Sequence, residues 1–334
     1  MNHFDILPEV GLASMLKDFY TSKVFLGLSD GTSVIYSLES QELESSKLPL
    51  NEYRGGVVEN KLLYVYSDAG FLVWSLDRQA VVQSYPIGRI EELTVSGDYI
   101  FIKRSGNVIE VYKLGEVLML HQFTINEMIS EIFSIKAYKN HLFIAGVIDF
   151  KLVIESDGDE EESDEEYISG VLVYNITDDD FKLTYLKALS YDYTGVDREL
   201  LGPTMFDVRE FHGVPRLVVV ARTSTAFRLN DFEPVYLSGD DGNHGGPLGV
   251  DIQDDLTVES DLGVINIMMN GKLIQELTFD DEDEAFNNLL LVNDHLLVVS
   301  EGGYLLHYRL QLGQFVLVNR LEFQDIRINT VVRL

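Results

Sequence analysis

The chain has 334 residues, 46% of them apolar and 24% charged, with 25 Lys and Arg set against 55 Asp and Glu for a formal charge of -30. This composition supplies a large core and excludes a disordered protein, while the negative field works against binding nucleic-acid phosphates or anionic membranes and favours basic proteins. With no cysteine, no leader pattern over 1–17 and no run of about 18 apolar residues, disulfide scaffolds, thiolate metal sites and membrane insertion are set aside, and a cytoplasmic or nuclear address is expected.

In chain order, 13–16 reads as a short inner strand, in preference to an amphipathic helix over 6–19. Ser29-Asp30-Gly31 then joins the strand-like runs 24–28 and 33–38, a hairpin whose glycine supplies positive φ. The unit recurs as Ser67-Asp68-Ala69-Gly70 between 62–66 and 71–76, and as Arg104-Ser105-Gly106-Asn107 between 99–103 and 108–114. A fourth hairpin pairs 141–145 with 170–174 across an insertion, and a fifth pairs 216–221 with 226–229 through Arg222-Thr223-Ser224. Ser260-Asp261-Leu262-Gly263 and Ser300-Glu301-Gly302-Gly303 mark the sixth and seventh. Ser29, Ser67 and Ser105 follow one another at about 38 residues, the spacing of propeller blades. Each hairpin has an apolar run before it, such as 93–95, 132–135, 205–208, 248–252 and 289–292, and a fourth strand after it, such as 182–189 and 315–321. The expected fold is all-β, a seven-bladed β-propeller of four-stranded antiparallel blades, forming a single domain over 1–334 with an acidic insertion at 155–167 in blade four. The trailing segment 326–334 has two readings, closure of the ring beside the N-terminal segment or the start of an eighth blade.

The third strands end in Tyr36-Ser37, Trp74-Ser75, Tyr112-Lys113, Tyr174-Asn175 and Tyr308-Arg309. This resembles the WD-repeat family, in which Trp-Asp occupies that place, although no blade carries Trp-Asp and the preceding Gly-His pair is missing. The resemblance implies a divergent propeller whose blades lack the family's histidine–aspartate network and rely on packing alone.

Second-to-third turns and blade crossings share one face of a propeller blade, which gives the acidic insertions a predicted location. The insertion carries Asp157, Asp159, Glu160, Glu161, Glu162, Asp164, Glu165 and Glu166; later crossings carry Asp240 and Asp241, then Asp280, Asp281, Glu282, Asp283 and Glu284, with Asp192 and Asp197 in the crossing between. These residues are the candidate contacts for a Lys/Arg-rich partner, although charge runs also serve simply as solvated loops. Asp178-Asp179-Asp180 falls on the opposite side. Ser156 and Ser163 precede acidic residues, as acidophilic kinases favour, and each phosphate would add roughly -1.5 to -2 charges.

No two histidines stand at metal-ligand spacing, and 239–246, rich in glycine and oxygen ligands, lacks the spaced acidic ladder of a calcium loop. Neither a phosphate-cradling glycine loop nor a nucleophile elbow is present. The expectation is a non-enzymatic interaction scaffold or chaperone for a basic protein, without cofactor or metal. The alternatives are a propeller subunit of a coat, nuclear-pore-type or other multi-protein assembly and, further off, a hydrolase using Asp207 and Asp251.

Overall fold

The computed structural model describes residues 22–334 apart from 47, 49, 51, 117, 126–127, 150–166, 178–180, 192–201, 222–223, 239–246, 280–284, 301 and 324–325. Among the described residues all regular structure is strand, in seven four-stranded sheets. Blade one holds β1 (Lys23–Leu28), β2 (Ser33–Ser37) and β3 (Leu43–Ser46); blade two holds β4 (Gly55–Glu59), β5 (Leu62–Ser67), β6 (Gly70–Ser75) and β7 (Ala80–Tyr85). Blade three is β8 (Glu92–Ser96), β9 (Tyr99–Arg104), β10 (Val108–Lys113) and β11 (Met119–Thr124). Blade four is β12 (Ile129–Tyr138), β13 (His141–Asp149), β14 (Tyr167–Thr177) and β15 (Lys182–Ser190). Blade five is β16 (Met205–Phe211), β17 (Val214–Val220), β18 (Ser224–Arg228) and β19 (Pro234–Ser238). Blade six is β20 (Gly249–Gln253), β21 (Leu256–Asp261), β22 (Val264–Met269) and β23 (Lys272–Thr278); blade seven is β24 (Phe286–Val292), β25 (His295–Ser300), β26 (Tyr304–Gln311) and β27 (Gln314–Glu322). The last strand, β28 (Ile328–Arg333), pairs antiparallel with β1, Val24 opposite Arg333.

That pairing decides between the two readings of 326–334. The segment is the inner strand of blade one, in the order β28-β1-β2-β3, and it covers the β1 edge that would otherwise stay open. Residues 13–16, expected to hold that place, lie outside the described residues.

The chain divides into two compact units: Met1–Leu48, Glu210–Val214 and Leu248–Leu334, and Pro49–Arg209 with Pro215–Pro247. Blades one, six and seven belong to the first, and blades two to five to the second, except that the β16–β17 turn counts with the first.

Inside each unit the core lies between successive sheets. In the second unit Phe101, Ile109 and Val111 of blade three meet Ile132, Ile144 and Leu172 of blade four. In the first, Val258 and Ile267 of blade six meet Leu291, Leu296 and Leu306 of blade seven. Burial of each such side chain stabilises by about 1.5–3 kcal/mol. The third-strand slot identified in the sequence is a core position in four of its five cases: Tyr36, Trp74, Tyr112 and Tyr308 are buried there, and Tyr174 is half-buried.

Turn chemistry accounts for the recurring serines. Ser67 Oγ accepts the Ala69 N–H at 3.1 Å and Ser300 Oγ accepts the Tyr304 N–H at 3.1 Å, while Asp30 Oδ1 takes the Thr32 N–H at 2.9 Å with Gly31 at φ +82°. Strand β4 has no counterpart among the expected runs. Its Gly55 faces the Tyr66 ring, and a Cβ there would collide with the hydroxyl end, so space for an aromatic is gained at the expense of strand propensity.

The outer strands of blades two to seven share a second device, which β3 of blade one lacks. Val82, Leu120, Leu186, Ile274 and Val318 are each skipped in the pairing of fourth strand to third, always opposite the step into the aromatic slot, or into Met268 in blade six. Blade five has its bulge two positions earlier, skipping Leu237. A bulge at this place twists the outer edge out of register with any incoming strand.

The blades do not rely on packing alone. Glu92 Oε2 on β8 accepts the Ile135 N–H at 2.9 Å and Thr94 Oγ1 accepts the Ala137 N–H at 2.9 Å, tying blade three to blade four. Gln275 on β23 clamps the Phe315 backbone of blade seven through both amide atoms, at 2.7 and 2.9 Å. These bonds satisfy backbone groups that lie beyond the reach of their own ladders.

Candidate functional site

All fifteen acidic residues proposed as partner contacts lie outside the described residues, as do Asp192, Asp197, Ser156 and Ser163. The strands that carry these segments are described. In blade four, Asp149 pairs with Tyr167 at the mouth of the insertion, and Gly170 pairs with Ser190 at the same end, where the chain leaves for 192–201. In blade five, β19 ends at Ser238 opposite Ser224, beside the β17–β18 turn. In blade six, Thr278 lies opposite Val264 at the β21–β22 turn and leads into 280–284. Each acidic segment thus leaves its own sheet at the end that bears the second-to-third turn.

The base of 280–284 is firmly held. Phe279 donates its N–H to Gly263 O at 2.9 Å and meets Phe286 edge-on, with centroids 5.4 Å apart. The Arg320 guanidinium lies 5.0 Å from the Phe279 ring and 4.6 Å from Tyr304, a cation–π arrangement.

A buried polar chain that the sequence reading missed joins blades seven and one. Asn319 Nδ2 donates to Tyr36 Oη at 3.1 Å, and Tyr36 Oη lies 2.9 Å from His307 Nδ1. His307 Nε2 is 2.8 Å from His295 Nδ1, and His295 Nε2 faces Asp294 at 3.3 Å and Glu39 at 3.6 Å. Carboxylates only accept, so His295 carries its hydrogen on Nε2; Nδ1 then accepts from His307 Nε2–H, and His307 Nδ1 accepts the tyrosine O–H. His307 and His295 are 1% and 2% exposed, and burial pushes both imidazoles below their usual range, His307 to about 4 with His295 and Arg309 adding to the effect. The signal in the sequence is the slot itself: Val73, Val111 and Val173 hold the place that His307 takes in blade seven.

The two aspartates weighed as an acid–base pair are each bonded within the fold. Asp207 forms ion pairs with Lys136 and, at 3.3 Å, with Arg209; burial opposes its charge, but the two cations outweigh it and hold the carboxyl at about 2. Asp251 Oδ2 accepts the Leu291 N–H at 2.7 Å and Oδ1 the Ile252 N–H at 2.9 Å. Among the described residues no three His, Asp or Glu side chains gather as metal ligands, and no helix is long and apolar enough to cross a membrane.

No family model and no curated protein matches the chain. Solved structures do match. The WD40 repeats of RRP9 superpose with a TM-score of 0.56 at 12% identity, over 84% of this chain and 83% of that one. This is the seven-bladed β-propeller fold. The propeller is also similar to a chain of the mitotic checkpoint complex, with a TM-score of 0.58 at 9% identity over 83% of this chain and 82% of that one. A crystal structure described as a putative 6-phosphogluconolactonase from Bacteroides fragilis gives 0.64 at 13% identity, covering 94% and 99%. At these identities the likeness is one of fold.

Proposed function

We propose that this propeller is a non-enzymatic interaction module that holds a basic protein segment, as a scaffold or as a chaperone, in the cytoplasm or nucleus. The observation that carries the reading is the charge of -30 together with its placement: acidic runs fill the second-to-third turn of blade four and the crossings that follow blades four, five and six. Three of those four segments belong to the second unit and leave their sheets at equivalent ends. Such a field attracts Lys/Arg-rich chains, speeds their encounter and repels phosphate backbones. A WD40-type neighbour that belongs to a checkpoint complex supports a role among protein partners.

The competing readings lose their motivating features. A trailing inner strand would have marked an assembly subunit, but β28 is used within blade one. The hydrolase reading needed Asp207 and Asp251 available to a substrate, and both are bonded to neighbouring groups.

Binding of a Lys/Arg-rich protein to the full chain, compared with a chain lacking 155–166 and measured against ionic strength, tests the proposal. Affinity should fall steeply with salt and drop on deletion. Affinity that is flat with salt and indifferent to the deletion rules out the acidic-face account.

A further inference from the structure

Blade seven holds a feature that neither the fold nor the proposed function requires: two histidines in mutual hydrogen bond inside the sheet, with a tyrosine of blade one at one end and surface carboxylates at the other. Tyr36 comes from β2, His307 from β26, His295 from β25 and Asn319 from β27, so three strands of the last blade converge on one residue of the first. Tyr36 is fully buried and packs edge-on against His307, with centroids 5.5 Å apart. Glu39, in the β2–β3 turn, has a side chain 59% exposed, so the buried chain of bonds reaches solvent at that end.

We propose that the Tyr36–His307–His295 relay is an acid-sensitive latch between the first and last blades, released by a proton that enters past Glu39 and Asp294. Every hydrogen in the relay points the same way, and only two ring lone pairs are left to receive a proton. On His295 Nδ1, the added hydrogen would face the His307 Nε2–H, and that bond is lost. On His307 Nδ1, it would face the Tyr36 O–H, whose oxygen already accepts from Asn319. Either site breaks the directional order, and the imidazolium stands in a site from which water is excluded.

The charged groups around the pair leave the balance against protonation. Asp294 and Glu39 favour a cation at His295, but burial outweighs them, and the Arg309 guanidinium, 2.8 Å from Asp294 and 3.8 Å from Glu39, offsets part of their attraction. His307, deeper in, faces Tyr36, Asn319 and the other imidazole. With His307 neutral in the fold down to about 4 and an unfolded histidine charging near 6.5, the unfolded chain binds more protons between those values. The latch therefore stabilises the closure fully above about pH 6.5 and loses that contribution as pH falls toward about 4.

The test uses the full chain and its His307→Gln variant, whose amide can donate and accept but does not titrate. Thermal midpoints from about pH 7.5 to about pH 5, and amide exchange in β1 and β28 at the two ends of that range, give the readouts. The wild type should lose several degrees more than the variant, with protection against exchange in β1 and β28, relative to the unfolded chain at the same pH, falling about tenfold in the wild type alone. Parallel pH profiles, or loss of protection spread evenly over all seven sheets, overturn the proposal. Should His307→Gln fail to fold, Tyr36→Phe removes the donor to His307 Nδ1 together with the acceptor of the Asn319 amide, while keeping both imidazoles: the His307 ring should then titrate at higher pH by NMR, and an unchanged midpoint also overturns it.

Discussion

Asp251 on β20 accepts the backbone N–H of Leu291 on β24 at 2.7 Å, so a carboxylate 1% exposed bonds one inner strand to the next in place of a ladder hydrogen bond. Removing the side chain leaves a buried donor without its acceptor. Asp251→Ala should cost about 1–3 kcal/mol in urea unfolding, while Asp251→Asn, whose single amide oxygen can serve the Leu291 N–H but not the Ile252 N–H as well, should recover only part of that stability. An alanine variant as stable as the parent would contradict this account of the inter-blade bond.

Asp207 predicts the behaviour in strong acid. Its carboxyl, held at about 2 by Lys136 and Arg209 against an ordinary value of 3.8, contributes stability above the ordinary value that is lost as pH falls through the folded one. Asp207→Asn should flatten the stability curve between about pH 4 and about pH 2, by about 2 kcal/mol across that window. Urea midpoints taken at several acid pH values check it.

Gly70 opens β6 at φ +134°, and a Cβ there would strike the Tyr85 carbonyl oxygen, a backbone atom with no freedom to swing away. Gly70→Ala should destabilise by about 2 kcal/mol or more, combining backbone strain with a clash. Gly97, at φ +59° with nothing near its Cβ direction, is the control: Gly97→Asn should cost well under 1 kcal/mol.

Leu312, at the tip of the β26–β27 turn, is 97% exposed at φ +51°, a conformation that a leucine side chain disfavours. It makes no burial gain to offset that strain. Leu312→Asn should raise stability by about 0.5 kcal/mol, seen as a thermal midpoint about one to two degrees higher.

The hairpins were legible because each joins strand-forming runs through Ser, Asp or Gly at a fixed place, and the structure puts β1–β2, β5–β6, β9–β10, β21–β22 and β25–β26 there. Blade two's inner strand was not, since Gly55 and Gly56 suggest a turn until the Tyr66 ring above them is seen. In blade five, Ser224 and Thr225, read as the turn and its edge, instead begin β18 opposite Val220 and Val219. Polar ties such as Glu92 to Ile135 join residues 43 positions apart, and no local pattern announces a partner that distant. The relay was not legible, since the meeting of His295 and His307 depends on β25 and β26 being neighbours and on Tyr36 arriving from the other end of the sequence. The acidic segments were plain in composition, and they lie outside the described residues.

The partnership of Val24 with Arg333 also bears on how the molecule is made. Blade one's other strands are the first to be synthesised among those described, yet their inner neighbour comes last, so during translation β1, paired with β2 on one side, waits with its other edge unpaired until β28 emerges. Joining segments so remote in sequence carries a large loop-closure entropy and belongs late in folding. Until then, the nascent chain presents a ready template for the wrong strand, which makes this seam the point where chaperone assistance or misassembly would first be felt.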